Sequence, residues 1–121
     1  MILVDTSIWI DHLRSTDVAL IELLDSVQVM THPLVIGELA MGSLRQREEF
    51  LRLLDELPKA PIADSSEVLA FIDAYRLYGQ GLGIVDVHLL ASALLAPGTS
   101  LWTRDARLRA AASSLSVLWR E

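Results

Sequence analysis

The chain opens with a short apolar run, residues 2–4 (Ile-Leu-Val), that ends directly in an acid, Asp5. A strand without alternating polar residues is typical of a parallel sheet that is covered on both faces. Further apolar runs predict strands at 27–30, 100–103 and 115–118, and helical patterns lie between them. This alternation predicts an α/β fold, with a mainly parallel sheet and helices on both of its faces.

The segments between the predicted strands have the spacing and the end signals of helices. Thr6 and Ser7 are expected to cap the first helix, and Asp64 opens another with a capping-box sequence. The glycines within 79–83 predict a flexible loop. No linker or repeat divides the chain, so we expect one domain over residues 1–121. Helices are predicted at 8–13, at 17–25, from Pro33 onwards, around 50–54, and at 64–78, 85–95 and 106–112.

Four acids stand in apolar segments, where an ionised carboxylate is costly unless it is paired or binds a metal. They are Asp5, Glu38, Asp86 and Asp105. Asp5 and Asp105 follow predicted strands, and the ligand crevice of an open α/β sheet forms at those strand ends. Asp86 would reach the crevice from a helix N-terminus, and Glu38 from a helix expected to be buried on nearly every side. We therefore expect the four carboxylates in one crevice.

Four carboxylates in one crevice would need a cation. Two like charges about 4 Å apart repel by roughly 4 kcal/mol at an effective dielectric near ~20. Without a cation, the acids would raise one another's pKa values and take up protons. Oxygen ligands suit Mg²⁺ or Mn²⁺, whereas zinc usually has His or Cys ligands as well, and the chain has no cysteine. The pattern predicts a divalent metal held by all four acids in a metal-dependent phosphodiester enzyme.

Several of these residues also have a plainer interpretation. Asp86 and Asp105 stand where helix N-caps are expected, so capping alone would explain them. The other two acids have no such explanation. Thr6, Ser7 and Thr103 adjoin site acids and are candidates for orienting them or a water molecule, with ordinary capping as the equal alternative.

The composition bounds the class of protein and its surroundings. The net charge of −6 suits a nucleic-acid binder poorly, although setting aside the four acids leaves −6 + 4 = −2. No basic region precedes the first apolar run, as a signal peptide would require. The longest apolar stretch, 82–96, is too short to span a bilayer. We therefore expect a soluble cytoplasmic protein with no membrane partner.

Four motifs, taken together, resemble a known family. In their order and spacing the chain resembles PIN-domain ribonucleases, and most closely the VapC toxins of toxin–antitoxin pairs. The resemblance covers essentially the whole chain, and all four family acids have counterparts in it. The motifs are Ile2-Leu3-Val4-Asp5-Thr6-Ser7, Gly37-Glu38-Leu39, Asp86-Val87-His88-Leu89-Leu90-Ala91 and Trp102-Thr103-Arg104-Asp105.

The resemblance implies a fold, an activity and partners. The fold would be a three-layer α/β/α sandwich with a mainly parallel sheet, a PIN-like domain. The activity would be Mg²⁺- or Mn²⁺-dependent endonucleolytic cleavage of structured RNA, tRNA or rRNA, which would inhibit translation. The resemblance also implies a homodimer and a cognate VapB-like antitoxin, whose C-terminal segment lies across the active-site groove.

On this hypothesis each acid has a role, and two arginines are candidate RNA contacts. Asp5 and Asp86 would be the principal metal ligands, and Asp105 would complete the shell directly or through water. Glu38 would bind a second ion or orient the attacking water, and the number of ions stays open. The RNA candidates are Arg104 and Arg107, and a solvated helix face is their plainer interpretation.

Two other classes of function are alternatives to this hypothesis, a phosphotransfer domain and a binding module. A phosphotransfer domain would need a lysine near its nucleophilic acid, and the single lysine, Lys59, lies between two prolines away from the motifs. A binding module would use the acidic groove to hold a basic peptide without catalysis. An apolar patch that includes Trp9 or Trp119 is the hypothesis for the dimer surface.

Overall fold

The computed structural model describes all residues, 1–121, as three strands and seven helices. Helix α1 packs on α3 and α3 on α4, while α5 packs on α6 and α6 on strand β3. This arrangement agrees with the predicted α/β/α sandwich. The elements are β1 (Ile2–Val4), α1 (Thr6–Arg14), α2 (Val18–Asp25), β2 (Val29–Met30), α3 (Pro33–Ala40), α4 (Arg47–Glu56), α5 (Ser65–Tyr75), α6 (Ile84–Leu95), β3 (Ser100–Trp102) and α7 (Ala106–Ser114).

The three strands form one parallel sheet in the order β2-β1-β3, so the parallel prediction is confirmed. Leu3 of the central strand pairs with Met30 on one side and with Leu101 on the other. The ladder continues past the strands, because the Asp5 N–H donates to the Trp102 carbonyl at 2.9 Å. Two segments that follow parallel strands, one from β1 and one from β3, therefore begin the site at the same edge of the sheet.

The core explains why the first strand contains no polar residue. Leu3 and Val4 have no exposed surface, and fully buried helix residues such as Ile8 and Leu89 belong to the same hydrophobic cluster. A strand that helices cover on both faces must be apolar at every position. Separately, no helix is long and apolar enough to cross a membrane.

The predicted strand at 115–118 is wrong. Only a single parallel bridge, between Leu101 and Leu118, joins this segment to β3. The preceding helix continues to Ser114, and Ser116 has a left-handed φ of 59°. The chain is therefore still turning where the strand was expected to begin, and the apolar residues pack without forming a ladder.

The ends of two helices also differ from the predictions. Helix α5 ends at Tyr75, earlier than expected, because Arg76 is left-handed with a φ of 53° and its N–H closes the last turn. Helix α1 begins at Thr6, with Asp5 in the N-cap position but no side-chain capping bond. The predicted capping by Thr6 and Ser7 is therefore wrong, and their hydroxyl groups are directed to other partners.

Candidate active site

Asp5 is a buried carboxylate at the carboxyl end of the central strand. Its exposed fraction is 6%, and its Oδ2 accepts two hydrogen bonds, from Ser7 Oγ at 2.8 Å and from Thr103 Oγ1 at 2.7 Å. None of the ion pairs in the structure includes Asp5. A buried carboxylate that has hydroxyl donors but no cation is incompletely compensated, and a metal ion is one partner that would compensate it.

Thr103 connects Asp5 to the segment that carries the next acid. Its side chain is fully buried, and its Oγ1 also accepts the Asp105 N–H at 3.1 Å. Ser7 extends the same network, since its Oγ lies 3.4 Å from Thr103 Oγ1 and accepts the Arg104 N–H at 3.1 Å. Two hydroxyl groups thus join the end of β1 to the segment that follows β3.

Glu38 lies on α3 and reaches the site from the solvent side. The expectation that it is buried is wrong, because α3 packs through Val35 and Leu39 and leaves Gly37 and Glu38 exposed. Glu38 Oε1 accepts a hydrogen bond from Thr6 Oγ1 at 2.6 Å. The first residue of α1 therefore holds this carboxylate, one position along the chain from Asp5.

Asp86 is half-buried in the first turn of α6. It is not the N-cap, which is Gly83, but its Oδ2 accepts the Gly83 N–H at 3.0 Å. Burial is the main cause that raises the pKa of Asp86, and the Gly83 hydrogen bond opposes that shift. The charges of Asp5, Asp105 and Glu38 raise the pKa further. The charges of the other three acids therefore reach Asp86, as expected if the four carboxylates face one crevice.

Asp105 is exposed and does cap a helix, as its plainer interpretation proposed. Its Oδ1 accepts the Leu108 N–H at 2.9 Å and so satisfies the N-terminus of α7. The cap uses only one carboxylate oxygen. Capping and metal binding are therefore compatible at this residue.

The donor set fits a hard divalent cation. As the side chains stand, no group of three or more Asp, Glu or His residues closes around one point to hold a metal ion. The available groups are nevertheless carboxylates and hydroxyls, the ligands that Mg²⁺ and Mn²⁺ prefer. Like charges that act on one another without a cation also favour the entry of one.

The two candidate RNA-contacting arginines differ in their surroundings. The Arg104 guanidinium forms ion pairs with three carboxylates, those of Asp11, Asp17 and Glu121. Arg107 is exposed, and no carboxylate is paired with it. The ion pairs give Arg104 a structural role, so Arg107 is the better candidate for a phosphate contact.

Arg107 packs against a glycine that no other residue would replace easily. Its Nη1 lies 3.5 Å from the Gly81 carbonyl oxygen. A Cβ at Gly81 would lie 2.7 Å from Arg107 Nη1, and the backbone there has a φ of 75°. The backbone conformation therefore favours glycine at position 81, which lies within the predicted 79–83 loop.

A groove that sequence reasoning missed begins at Glu38. It has a volume of about 670 Å³ and lies between α1, α3, α4 and the 41–46 turn. Six of its thirteen lining residues are apolar, and four are charged. The apolar lining residues are Ile10, Leu13, Leu39, Leu44, Phe50 and Leu53, and the charged ones are Arg14, Arg45, Glu38 and Glu49. No motif in the sequence indicates this groove.

Two aromatic side chains near the site, those of His32 and Trp9, are buried. His32 is 1% exposed and caps α3, because its Nδ1 accepts the Leu34 N–H at 3.0 Å. Burial first, and then the charge of His88, lower the pKa of His32. Trp9 is 3% exposed, so the hypothesis that it forms an apolar dimer surface is wrong as placed.

The comparisons with known proteins identify the class. The PIN domain family model matches residues 2–113. The chain therefore belongs to the PIN-domain family, and it is of the VapC type. It is 50% identical to Ribonuclease VapC32 of Mycobacterium tuberculosis, strains CDC 1551 / Oshkosh and ATCC 25618 / H37Rv, over 121 residues. These alignments cover 100% of this chain and 98% of each relative.

Replacing Thr103 with Val should weaken metal binding while preserving the shape of the side chain. The change removes the 2.7 Å bond to Asp5 and the acceptor of the Asp105 N–H. Loss of such a supporting group typically costs about 10–100-fold in metal affinity or activity. Titration calorimetry with Mn²⁺ measures this loss, and Thr103→Ser, which keeps the hydroxyl, is the control. Equal Mn²⁺ affinity in Thr103→Val and the unmodified chain would show that the hydroxyl does not support the site.

Replacing Asp86 with Asn should stabilise the metal-free protein at neutral pH. The folded chain raises the pKa of this carboxyl above its ordinary 3.8, so the folded state releases the proton less readily than the unfolded state. As the pH rises through the pKa values of Asp86 in the unfolded and the folded chain, its ionisation therefore lowers the free energy of unfolding. Asn does not ionise and so removes this effect. Urea unfolding in EDTA at several pH values measures the difference in free energy of unfolding between Asp86→Asn and the unmodified chain. This difference should become smaller as the pH is lowered.

The matched control for this stability effect is Asp73→Asn, a change at an exposed carboxylate on α5. It should alter stability at neutral pH less than Asp86→Asn does. Added Mg²⁺ should stabilise the unmodified chain more than Asp86→Asn. A destabilised Asp86→Asn in EDTA at neutral pH would contradict the account of the acids acting on one another.

Proposed function

We propose that the chain is a VapC-type endoribonuclease, the toxin of a toxin–antitoxin pair, whose four acids hold Mg²⁺ or Mn²⁺. The observation that carries the proposal is half-buried Asp86, whose pKa is raised by burial and then by the charges of the other three acids. Membership of the PIN-domain family and the similarity to a ribonuclease, VapC32, support the same function.

Each of the four acids has its own role in the proposed site. Asp5 and Asp86 are the principal ligands, Asp105 completes the shell directly or through water, and Glu38 binds a second ion or orients the attacking water. A divalent ion held by these residues would supply Lewis-acid chemistry, making a bound water more acidic and offsetting negative charge on the scissile phosphate. Ser7 and Thr103 hold Oδ2 of Asp5 by hydrogen bonds, which leaves Oδ1 for a ligand.

The substrate we propose is structured RNA, a tRNA or an rRNA, whose cleavage inhibits translation. Arg107 is exposed on the first turn of α7, two residues after Asp105, and is the candidate contact to an RNA phosphate. A guanidinium suits a phosphate because it presents several donors in a rigid plane. The acidic total charge of −6 makes such local arginines more important for RNA binding.

The partner we propose for the groove is the C-terminal segment of a VapB-like antitoxin. The groove combines six apolar lining residues with charged ones and includes Glu38, so a segment that fills it also covers part of the site. Its volume of about 670 Å³ suits several side chains. We also propose a homodimer, which light scattering would detect as about twice the 13.4 kDa of the chain.

The alternative phosphotransfer function has no supporting observation. Lys59 pairs with Asp55 at 3.2 Å, its neighbour across one turn at the end of α4. None of its hydrogen bonds or ion pairs involves one of the four acids.

Replacing Asp5 with Asn should abolish RNA cleavage without unfolding the chain. The change is nearly isosteric and removes the charge of a principal ligand. Purified, antitoxin-free protein is incubated with total cellular RNA in Mg²⁺, in Mn²⁺ and in EDTA, and the fragments are separated and sequenced. The unmodified chain should yield discrete fragments that disappear in EDTA, and Asp5→Asn should yield none.

The control for this experiment is Asp73→Asn, which removes an exposed charge away from the site and should cleave normally. Wild-type cleavage by Asp5→Asn would overturn the assignment of the site. Cleavage that persists in EDTA would overturn the metal dependence. RNA left intact by the folded, unmodified chain in every condition would favour the binding module instead.

Replacing Leu13 with Glu should weaken antitoxin binding and spare the chemistry. Leu13 lines the groove and is 48% exposed, so a charge there would lose its hydration when the groove is filled. Truncating or charging a central interface residue commonly raises Kd by about 10-fold or more. Calorimetry with the cognate antitoxin's C-terminal peptide measures the change. Leu69→Glu, at a residue outside the groove that is 64% exposed, should bind normally, and equal binding by both variants would contradict the groove assignment.

A further inference from the structure

The Arg104 side chain is the centre of a compact ionic cluster. Its Nη1 lies 2.9 Å from Asp11 Oδ2, its Nη2 2.6 Å from Asp17 Oδ2 and its Nε 2.8 Å from Glu121 Oε1. The guanidinium carbon also lies 5.4 Å from the centre of the Trp102 ring. Every nitrogen of this guanidinium therefore has a carboxylate partner, and one face of it has an aromatic partner.

The partners of Arg104 come from separate parts of the chain. Asp11 lies on α1, Asp17 caps the N-terminus of α2, and Glu121 also accepts a hydrogen bond from Trp102 Nε1 at 2.7 Å. The hydrogen bonds from Arg104 are the first cause that lowers the pKa values of Asp17 and Glu121. The cluster therefore stays ionised at neutral pH and links three segments to the residue at its centre.

The backbone of Arg104 belongs to the active site. Its N–H donates to Ser7 Oγ at 3.1 Å. The residue before it, Thr103, bonds Asp5, and the residue after it, Asp105, is one of the four acids. The segment is held by the site hydroxyls through its backbone and by the ionic cluster through the Arg104 side chain.

We propose that Arg104 is a positioning residue, whose ionic cluster fixes the 103–105 segment and with it the carboxylates of Asp5 and Asp105. This inference rests on the proposed nuclease function and assigns Arg104 no contact with RNA. The segment is a short connection between β3 and α7, so without the side-chain anchor it is held by the hydroxyl bonds and by the Asp105 cap on α7. The three carboxylates would then repel one another, which would displace the segment further.

The proposal separates a positioning role from a phosphate contact by its kinetic signature. An arginine that binds a phosphate contributes to RNA affinity, and its loss raises KM and reduces the salt dependence of binding by about one unit of slope. An arginine that positions the acids acts on the chemical step, so its loss lowers kcat and the affinity for the metal. Lysine would keep the charge but not the planar set of donors that three carboxylates require.

The experiment compares Arg104→Met and Arg104→Lys with the unmodified chain, after circular dichroism has shown that each is folded. Arg104→Met should lose about 10–100-fold in kcat and in Mn²⁺ affinity, as expected when a supporting group is removed. Its KM and the salt slope of RNA binding should not change. The kcat and the Mn²⁺ affinity of Arg104→Lys should lie between those of Arg104→Met and the unmodified chain. This variant keeps the proposal testable if Arg104→Met does not fold.

Two further variants test the cluster itself. Arg120→Met is the matched control, because Arg120 is exposed and its one side-chain hydrogen bond is to Ser113. It should leave kcat and Mn²⁺ affinity unchanged. Glu121→Gln should lower Mn²⁺ affinity in the unmodified background and add no loss in the Arg104→Met background, because the two residues would act through one cluster.

The outcomes separate this proposal from the nuclease function. Wild-type kcat and Mn²⁺ affinity in Arg104→Met would overturn the proposal, and so would a raised KM with a reduced salt slope. If the unmodified chain cleaves no RNA, the nuclease function fails by itself. The positioning role would then be tested by the Mn²⁺ affinity and the hydrogen exchange of the Asp105 amide in Arg104→Met. Lower affinity with faster exchange would support the role, and unchanged values would overturn it.

Discussion

The site depends on one contact, the hydrogen bond from Thr103 to the buried carboxylate of Asp5. Parallel pairing of β1 with β3 brings the two residues side by side, and the Asp5 N–H extends that ladder to the Trp102 carbonyl. Register therefore decides which hydroxyl meets the acid, because a slip of one residue would turn every side chain to the other face. The catalytic geometry is in this sense a consequence of how the apolar strands pair.

The same arrangement of acids lowers the stability of the metal-free chain and suits the site for a metal ion. Burial and three neighbouring acids disfavour the charged form of Asp86, and Asp5 is buried without a cation. A divalent ion bound by such groups would remove both the desolvation penalty and the repulsion. A site of this kind is therefore expected to gain stability from its own ligand.

Much of the fold and of the site could be predicted from the sequence, because local patterns determine both. Uninterrupted apolar runs indicated the parallel strands, and an acid directly after the first run indicated Asp5. What could not be predicted depends on packing between distant segments. The exposure of Glu38 follows from which side of α3 packs inward, and Arg104 bonds Asp11 and Asp17, which lie 93 and 87 residues away. The strand predicted at 115–118 does not form because Ser116 has a left-handed backbone conformation, which the residue type alone does not predict.

Charge distribution explains how so acidic a chain can act on RNA. The Arg104 cluster is itself negative, one guanidinium among three carboxylates, so that arginine adds nothing to the attraction of a phosphate backbone. One divalent ion in the site would change the net charge from −6 to −4, and two would change it to −2. The added charge would lie where the scissile phosphate must approach, and local field matters more than the total for such an encounter. Metal binding and RNA binding should therefore be coupled, with Arg107 contributing from outside the acidic cluster.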